Sequence, residues 1–183
     1  EFRAGFAEVV KYGVIADAKL FAFLETNAAR ILSLNNDCLE HIIETSCAIK
    51  AEVVEKDERE SRYRMVLNFG HTFGHAIEAL TRYTGLLHGE AVAIGMVQAA
   101  RLSEETGKCS SEVSKRIVAL LEKFGLPTES PSLKPTDVIQ SMYHDKKTDH
   151  GQLRFVLVKD IGTIEIVDDV PEAPVKTVLE KTK

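Results

Sequence analysis

The chain has 183 residues and 44% hydrophobic content, which suits one domain with its own core and argues against two domains. Its formal net charge is -5 and no basic stripe stands out, so nucleic acid is not an expected partner. No apolar run reaches the ~20 residues that span a bilayer, and three scattered cysteines without a CxxC pair are typical of reduced thiols. We therefore expect a cytoplasmic protein that does not cross a membrane.

The first third of the sequence predicts three helices. Hydrophobic residues at helical spacing indicate a helix over residues 4–15. Asp17 is a suitable cap for a second helix, and the polar break at residues 35–37 begins a long third helix that ends near Asp57. The charged residues 57–63 are predicted to form a loop.

The middle of the sequence predicts the most deeply buried helix. Residues 67–80 indicate a helix with an unusual, glycine-bearing start, and residues 83–85 break it. Residues 89–102 are small and apolar almost all round, which is typical of a helix at the centre of a bundle. A further helix begins at residues 110–111 and is stopped by Gly125.

The C-terminal part changes from helical spacing to alternation. Residues 153–158 and 163–167 alternate around a turn that contains Gly162, which predicts a β-hairpin. Residues 174–182 suit a short final helix. The expected fold class is therefore mainly α, a helix bundle with one small β-hairpin near the C-terminus, built as a single domain over residues 1–183.

Two histidines one helical turn apart are the first candidates for chemistry. His71 and His75 emerge on one helix face, a workable spacing for metal ligands. Thr72 stands where HExxH zinc proteases carry their glutamate base, so proteolysis is not expected. The spacing by itself also fits two structural histidines.

Three further residues suit the same kind of site. His88 opens the small-residue helix beside Gly89, which permits close backbone approach. Glu8 lies on a helix with an apolar stripe, and Lys11 follows one turn later on the same side. A solvated ion pair is the alternative interpretation of Glu8 and Lys11.

Several cations suit an anionic ligand. Lys50 lies in an otherwise apolar helix, Arg64 precedes the histidine helix, and Lys146 and Lys147 lie in a predicted loop. Lys50 and Arg64, near the helix start at Asn68, would form a phosphate or carboxylate clamp, although surface lysines are common. No GxGxxG or Walker loop is present, so the usual cradle for nucleotide phosphates is missing.

These segments, taken in order, resemble the 3-dehydroquinate synthase family of sugar-phosphate cyclases. The resemblance rests on RAGFAEVVKYG at 3–13, Lys50 with DERE at 57–60, Arg64, NFGHTFGH at 68–75, LHGEAVAIGM at 87–96 and DKK at 145–147. It covers nearly the whole chain and implies the C-terminal, mostly helical domain of a two-domain fold. The family's N-terminal α/β domain, which binds most of the NAD, would precede Glu1.

The resemblance also implies a role for each candidate residue. Glu8, His71 and His88 would hold Zn²⁺ or Co²⁺, which moves His75 from the metal to the substrate site. Glu60 and His75 would transfer protons. The residues that would hold the substrate are Lys11, Lys50, Arg64, Asn68, His75 and Lys146, with Lys146 preferred to Lys147.

The implied reaction is the conversion of 3-deoxy-D-arabino-heptulosonate 7-phosphate to 3-dehydroquinate and phosphate. The enzyme would be an NAD- and metal-dependent lyase of the shikimate pathway, a homodimer when full length, with a small phosphorylated sugar as its partner molecule. The helical domain alone would turn over nothing. The alternatives are another sugar-phosphate cyclase, a metal-dependent alcohol or glycerol dehydrogenase, and a helical binding domain without activity; phosphate release from substrate separates cyclases from dehydrogenases.

Overall fold

The computed structural model describes residues 1–57, 62–145, 153–168 and 170–182. Its helices are α1 (Phe2–Ile15), α2 (Ala18–Leu32), α3 (Asn36–Lys56), a 3₁₀ helix (Tyr63–Asn68), α4 (His71–Leu80), α5 (His88–Glu105), α6 (Ser111–Lys123), α7 (Pro135–Asp145) and α8 (Glu172–Lys181). Between α7 and α8, β1 (Arg154–Asp160) and β2 (Thr163–Asp168) pair antiparallel as a hairpin. The predicted helix bundle with one C-terminal hairpin is confirmed for the part of the chain that the structure describes.

Side-chain caps begin two of the predicted helices. Asp17 accepts the backbone N–H groups of Lys19 and Leu20 at 2.8 and 3.0 Å, which starts α2. Asn35 accepts the N–H of Cys38 at 3.1 Å, which starts α3. Each cap satisfies donors that the first turn of a helix leaves without partners. The polar residues that mark these breaks in the sequence are therefore the ones that end one helix and begin the next.

The helix predicted over residues 67–80 is in fact two elements. A 3₁₀ helix ends at Asn68, and α4 begins at His71 after Gly70, whose φ of 81° lies in the left-handed region. A right-handed helix cannot continue through that conformation, which glycine adopts at little cost. His71 is consequently the first residue of a helix, where the predicted helix had placed it in the second turn.

The small-residue helix α5 is the centre of the bundle, as predicted. It packs against α1, α4, α6, α8 and β1. Ten consecutive residues, Ala91–Ala100, are all buried because neighbouring elements cover every side of the helix.

Helices α4 and α5 approach each other through glycine. A methyl group added at Gly95 would lie 2.0 Å from the carbonyl oxygen of Gly70, and one added at Gly89 would lie 2.0 Å from the carbonyl oxygen of Ala4. Backbone therefore touches backbone where α5 meets the start of α4, and again where it meets α1. These contacts bring Glu8, His71 and His88 to one end of the bundle.

The hairpin is fixed to both the centre and the edge of the bundle. The N–H of Val158 on β1 donates to the buried Ser103 hydroxyl of α5 at 2.9 Å, and the N–H of Gly162 in the turn donates to the carbonyl of Val14 in α1 at 2.9 Å.

The three cysteines are free thiols. Among the described helices, none combines the length and the apolar character that crossing a membrane requires.

Candidate metal centre

Three predicted residues from three helices meet at one point. Glu8 lies in α1, while His71 and His88 are the first residues of α4 and α5. One ligand atom from each residue lies within 4.8 Å of the other two, and His71 Nε2 is 3.5 Å from Glu8 Oε1. The 3.5 Å separation suits two ligands that share one tetrahedral ion at the ~2.0–2.2 Å distances of Zn²⁺ to nitrogen and oxygen.

The two carboxylate oxygens of Glu8 differ in their hydrogen bonding. Its Oε2 accepts a hydrogen bond from Lys11 Nζ at 2.5 Å. Its Oε1 is buried and accepts no hydrogen bond from the described residues. A buried anionic oxygen without a donor is costly. The donor set therefore fits a divalent cation, which would satisfy this oxygen.

His71 is held in the form that ligates a metal. Its Nδ1 donates to the carbonyl of Phe69 at 3.2 Å, which leaves the Nε2 lone pair on the side of Glu8. Burial, and after it the nearby charge of Lys11, lower the pKa of His71 to about 4 against the opposing effect of Glu8. The imidazole is thus neutral near pH 7, as a metal ligand must be.

His88 has a partner that sequence reasoning missed. Its Nδ1 lies 3.0 Å from Oε1 of Glu78, a residue in the third turn of α4. Glu78 is buried, although the His88 side chain is 53% exposed. The available signal was the spacing of His71, His75 and Glu78 at i, i+4 and i+7, which puts all three on one face of α4.

His75 lies beside the three converging residues without joining them. Its ring centroid is 5.4 Å from that of His71 and 6.2 Å from that of His88. Among the described residues, the ligand cluster consists of Glu8, His71 and His88. The metal pair suggested by the i, i+4 spacing of His71 and His75 is therefore not the arrangement found, and His75 instead lines the clefts next to it.

Lys11 is not the solvated partner that the alternative interpretation required. Only 3% of it is exposed, and burial lowers its pKa, as does the positive charge of Lys50, while Glu8 raises it. Lys50 itself is exposed on α3, and its charge acts on Lys11. The two lysines therefore give the centre a positive side beside its carboxylate.

Other predicted site residues line neighbouring clefts or lie outside the residues that the structure describes. Asn68, His71 and His75 share a cavity with Arg154, which sequence reasoning did not single out because it reads as the start of a strand. Arg64 lines a cleft with Asn68. Glu60, Lys146 and Lys147 lie outside the described residues.

Comparison with known protein sequences gives one consistent family. A family model described as 3-dehydroquinate synthase C-terminal matches residues 5–148. A 3-dehydroquinate synthase of Desulforamulus reducens is 53% identical over 182 residues, which are 99% of this chain and 51% of that protein. A 3-dehydroquinate synthase of Geotalea uraniireducens is 49% identical over 174 residues, 94% of this chain and 48% of that protein. The chain thus spans about half the length of these curated relatives.

Solved structures share the fold at lower identity. A 2-epi-5-epi-valiolone synthase of Streptomyces hygroscopicus, solved with NAD⁺ and Zn²⁺ bound, gives a TM-score of 0.89 at 25% identity over 98% of this chain and 50% of that one. A 2-deoxy-scyllo-inosose synthase complexed with carbaglucose-6-phosphate, NAD⁺ and Co²⁺ gives 0.81 at 27% identity over 99% of this chain and 52% of that one. The helices that carry Glu8, His71 and His88 therefore belong to an architecture that these two synthases share.

Proposed function

Because this chain belongs to the 3-dehydroquinate synthase family, we propose that it is the metal- and substrate-binding half of an enzyme that converts 3-deoxy-D-arabino-heptulosonate 7-phosphate to 3-dehydroquinate and phosphate. The observation that carries the proposal is the convergence of Glu8, His71 and His88 in a chain about half identical to curated 3-dehydroquinate synthases. Residues 1–183 would form one domain, and an N-terminal α/β half that binds NAD would complete a cytoplasmic homodimer of the shikimate pathway.

Glu8, His71 and His88 would hold Zn²⁺ or Co²⁺. One carboxylate and two imidazoles leave coordination positions open, which is typical of catalytic rather than structural sites. When bound, such an ion supplies Lewis-acid stabilisation to oxygens that gain negative charge. NAD⁺ supplies the hydride chemistry, for which the protein gives orientation and electrostatic field.

The other residues would bind the substrate and move its protons. Lys11 is buried next to the carboxylate of Glu8, where a cation is little screened by water and therefore suits a substrate anion. Lys50 and Arg64 would add charge for the phosphate or carboxylate, and Asn68 would donate a hydrogen bond. His75, whose ring lies beside the two other imidazoles and lines the adjoining clefts, would act as a general acid and base.

Glu60 and Lys146 remain proposals from the family resemblance alone. Glu60 would share the proton transfers with His75, and Lys146 would contact the substrate. Both roles can be tested by substitution in the complete enzyme. We expect Glu60→Gln to lower kcat and Lys146→Met to raise KM.

A second candidate is a sugar-phosphate cyclase acting on another phosphorylated sugar. The likeness in fold to the valiolone and inosose synthases supports it. This chain shares about half of its aligned residues with the 3-dehydroquinate synthases and about a quarter with the valiolone synthase. The greater identity favours the first candidate. No observation on the described residues favours an alcohol or glycerol dehydrogenase, which would have no need of the cations around Asn68.

Phosphate release tests the proposed activity directly. The complete enzyme, with this chain joined to its NAD-binding half, is incubated with NAD⁺, Zn²⁺ and the heptulosonate phosphate, and phosphate and 3-dehydroquinate are measured. We expect both products in equal amounts, and none from the 183-residue chain alone. Turnover of a different sugar phosphate but not the heptulosonate would favour the second candidate, and oxidation without phosphate release would indicate a dehydrogenase.

Metal uptake by the chain tests the centre separately from activity. We expect wild type to take up one divalent ion per chain and His71→Ala and His88→Ala to bind it at least about 10-fold more weakly, because each loses a ligand. His41→Ala removes an exposed histidine of α3 and serves as the matched control, with uptake like wild type. Equal affinity in all four proteins, measured by competition with a zinc-binding dye, would refute these ligands.

A further inference from the structure

We propose that Glu78 is a positioning residue of the metal centre: its carboxylate fixes the tautomer and orientation of the His88 ring, so that Nε2 is the nitrogen presented to the ion. The inference rests on the proposed metal-binding function of Glu8, His71 and His88 and extends it to a residue that does not touch the ion.

The contact is a hydrogen bond between two helices. Glu78 Oε1 on α4 lies 3.0 Å from His88 Nδ1 at the start of α5. An ionised carboxylate only accepts hydrogen bonds, so the proton of the bond belongs to Nδ1. The lone pair of a neutral His88 ring is then on Nε2, the nitrogen free to bind a cation.

His88 needs such a partner more than His71 does. The His71 side chain is only 14% exposed and is enclosed by its surroundings, whereas that of His88 is 53% exposed. A histidine on the first turn of a helix, facing solvent over half its surface, has few contacts that limit rotation of its ring. The hydrogen bond to Glu78 supplies the constraint that packing does not.

Glu78 is itself buried, with 8% of the residue exposed. A buried carboxylate is stable only with a partner that neutralises or hydrogen-bonds it, and His88 is the side chain that meets it. A charged side chain next to buried Ile77 in the third turn of α4 would destabilise the fold without this hydrogen bond to His88.

The two imidazoles are therefore oriented by different groups on neighbouring elements. His71 donates its Nδ1–H to the neutral backbone carbonyl of Phe69, and His88 donates to a carboxylate. A carboxylate increases the basicity of the imidazole it holds more than a carbonyl does, and such partners change metal affinity 10- to 100-fold. Since His71 and Glu78 both lie on α4, one helix controls both imidazoles, the first directly and the second through Glu78.

The test compares wild type with Glu78→Gln and Glu78→Ala, and uses Glu105→Gln as matched control. Glu105 lies at the far end of α5 and pairs with Lys181 at the surface. Zinc affinity is measured by dye competition, the Co²⁺ absorption spectrum reports the ligand field, and ¹⁵N NMR of the metal-free chain reports the tautomer of His88. Thermal unfolding identifies any variant that has lost its fold.

We expect zinc affinity to fall 10- to 100-fold in Glu78→Gln and Glu78→Ala with an altered Co²⁺ spectrum, and not in Glu105→Gln. In wild type without metal, His88 carries its proton on Nδ1, and in Glu78→Ala that tautomer is no longer predominant. Folded Glu78 variants with wild-type affinity, spectrum and tautomer would overturn the inference. Wild type that binds no zinc would instead refute the metal centre, while its tautomer would still report whether Glu78 orients His88.

Discussion

At the scale of single residues, sequence reasoning found the metal-binding candidates but not the groups that hold them. Glu8, His71 and His88 were identified by residue type and by the family motifs, and the structure brings them together. Glu78 and the burial of Lys11 were missed, since a charged residue on a helix has the same sequence pattern whether its side chain faces water or a neighbouring helix. Only packing distinguishes these two cases.

Asp57 is a buried carboxylate whose loss should be measurable. One of its oxygens, Oδ2, accepts the backbone N–H groups of Arg62 and Arg64 at 2.9 and 3.0 Å, which fixes the start of the 3₁₀ helix that carries Asn68. We expect Asp57→Ala to lower the free energy of unfolding by about 2–3 kcal/mol, because both donors lose a charged acceptor. Urea denaturation measures the change.

The matched control for Asp57 is Asp37→Ala. Asp37 is exposed in the first turn of α3, where its carboxylate contributes through the helix dipole, so we expect a loss of less than about 1 kcal/mol. Equal losses in the two variants would mean that the hydrogen bonds of Asp57 to the 3₁₀ helix contribute nothing specific.

At the scale of elements, the contact between α4 and α5 determines the site. The composition of residues 89–102 predicted a buried helix correctly, because small apolar residues on every side have no other stable place. The break at Gly70 and the 3₁₀ helix before it were not predicted, since a left-handed glycine and a glycine inside a helix look alike in sequence. That break is what makes His71 a helix start facing His88.

Gly95→Ala tests this contact. The added methyl group would lie 2.0 Å from the carbonyl oxygen of Gly70 and 2.8 Å from the backbone nitrogen of Gly74, so α4 and α5 must move apart. We expect stability to fall by about 1–3 kcal/mol, as for other overpacked cores, and zinc affinity to fall with it because His71 and His88 separate. Urea denaturation and dye competition give the two quantities.

Gly5→Ala is the control for a glycine that no neighbour approaches. Nothing lies within 4 Å of a methyl group added there, in the exposed part of α1. Alanine is the better helix former, so we expect a gain of about 0.5–1 kcal/mol and unchanged zinc affinity. If Gly95→Ala matched this gain, the close approach of the helices would have no energetic importance.

At the scale of the whole molecule, element type was easier to predict than arrangement. Helical and alternating patterns revealed the bundle and the hairpin, because both follow from local periodicity. The meeting of α1 with α4 and α5 depends on contacts between residues more than sixty positions apart, which periodicity does not specify. The family resemblance supplied that information, and a single domain over residues 1–183 stays a prediction.

Zinc should stabilise the whole fold, because its proposed ligands come together only when α1, α4 and α5 are packed. With free zinc at 100 times its dissociation constant, we expect the free energy of unfolding to rise by about 2.7 kcal/mol, and a chelator to reverse the rise. Glu8→Gln, which lacks the anionic ligand, should show a much smaller rise. A rise of the same size in Glu8→Gln would assign the effect to zinc bound elsewhere.

The attachment of the hairpin turn to α1 has a consequence for how the protein is made. Val14 accepts its hydrogen bond from Gly162, and these residues are separated by most of the chain. The ribosome releases α1 well before the hairpin, so the end of α1 must wait until Gly162 has been synthesised before this contact can form. Until then, the helix that carries Glu8 lacks this restraint, and the nascent protein would acquire the final geometry of the proposed metal centre only after the hairpin has been made.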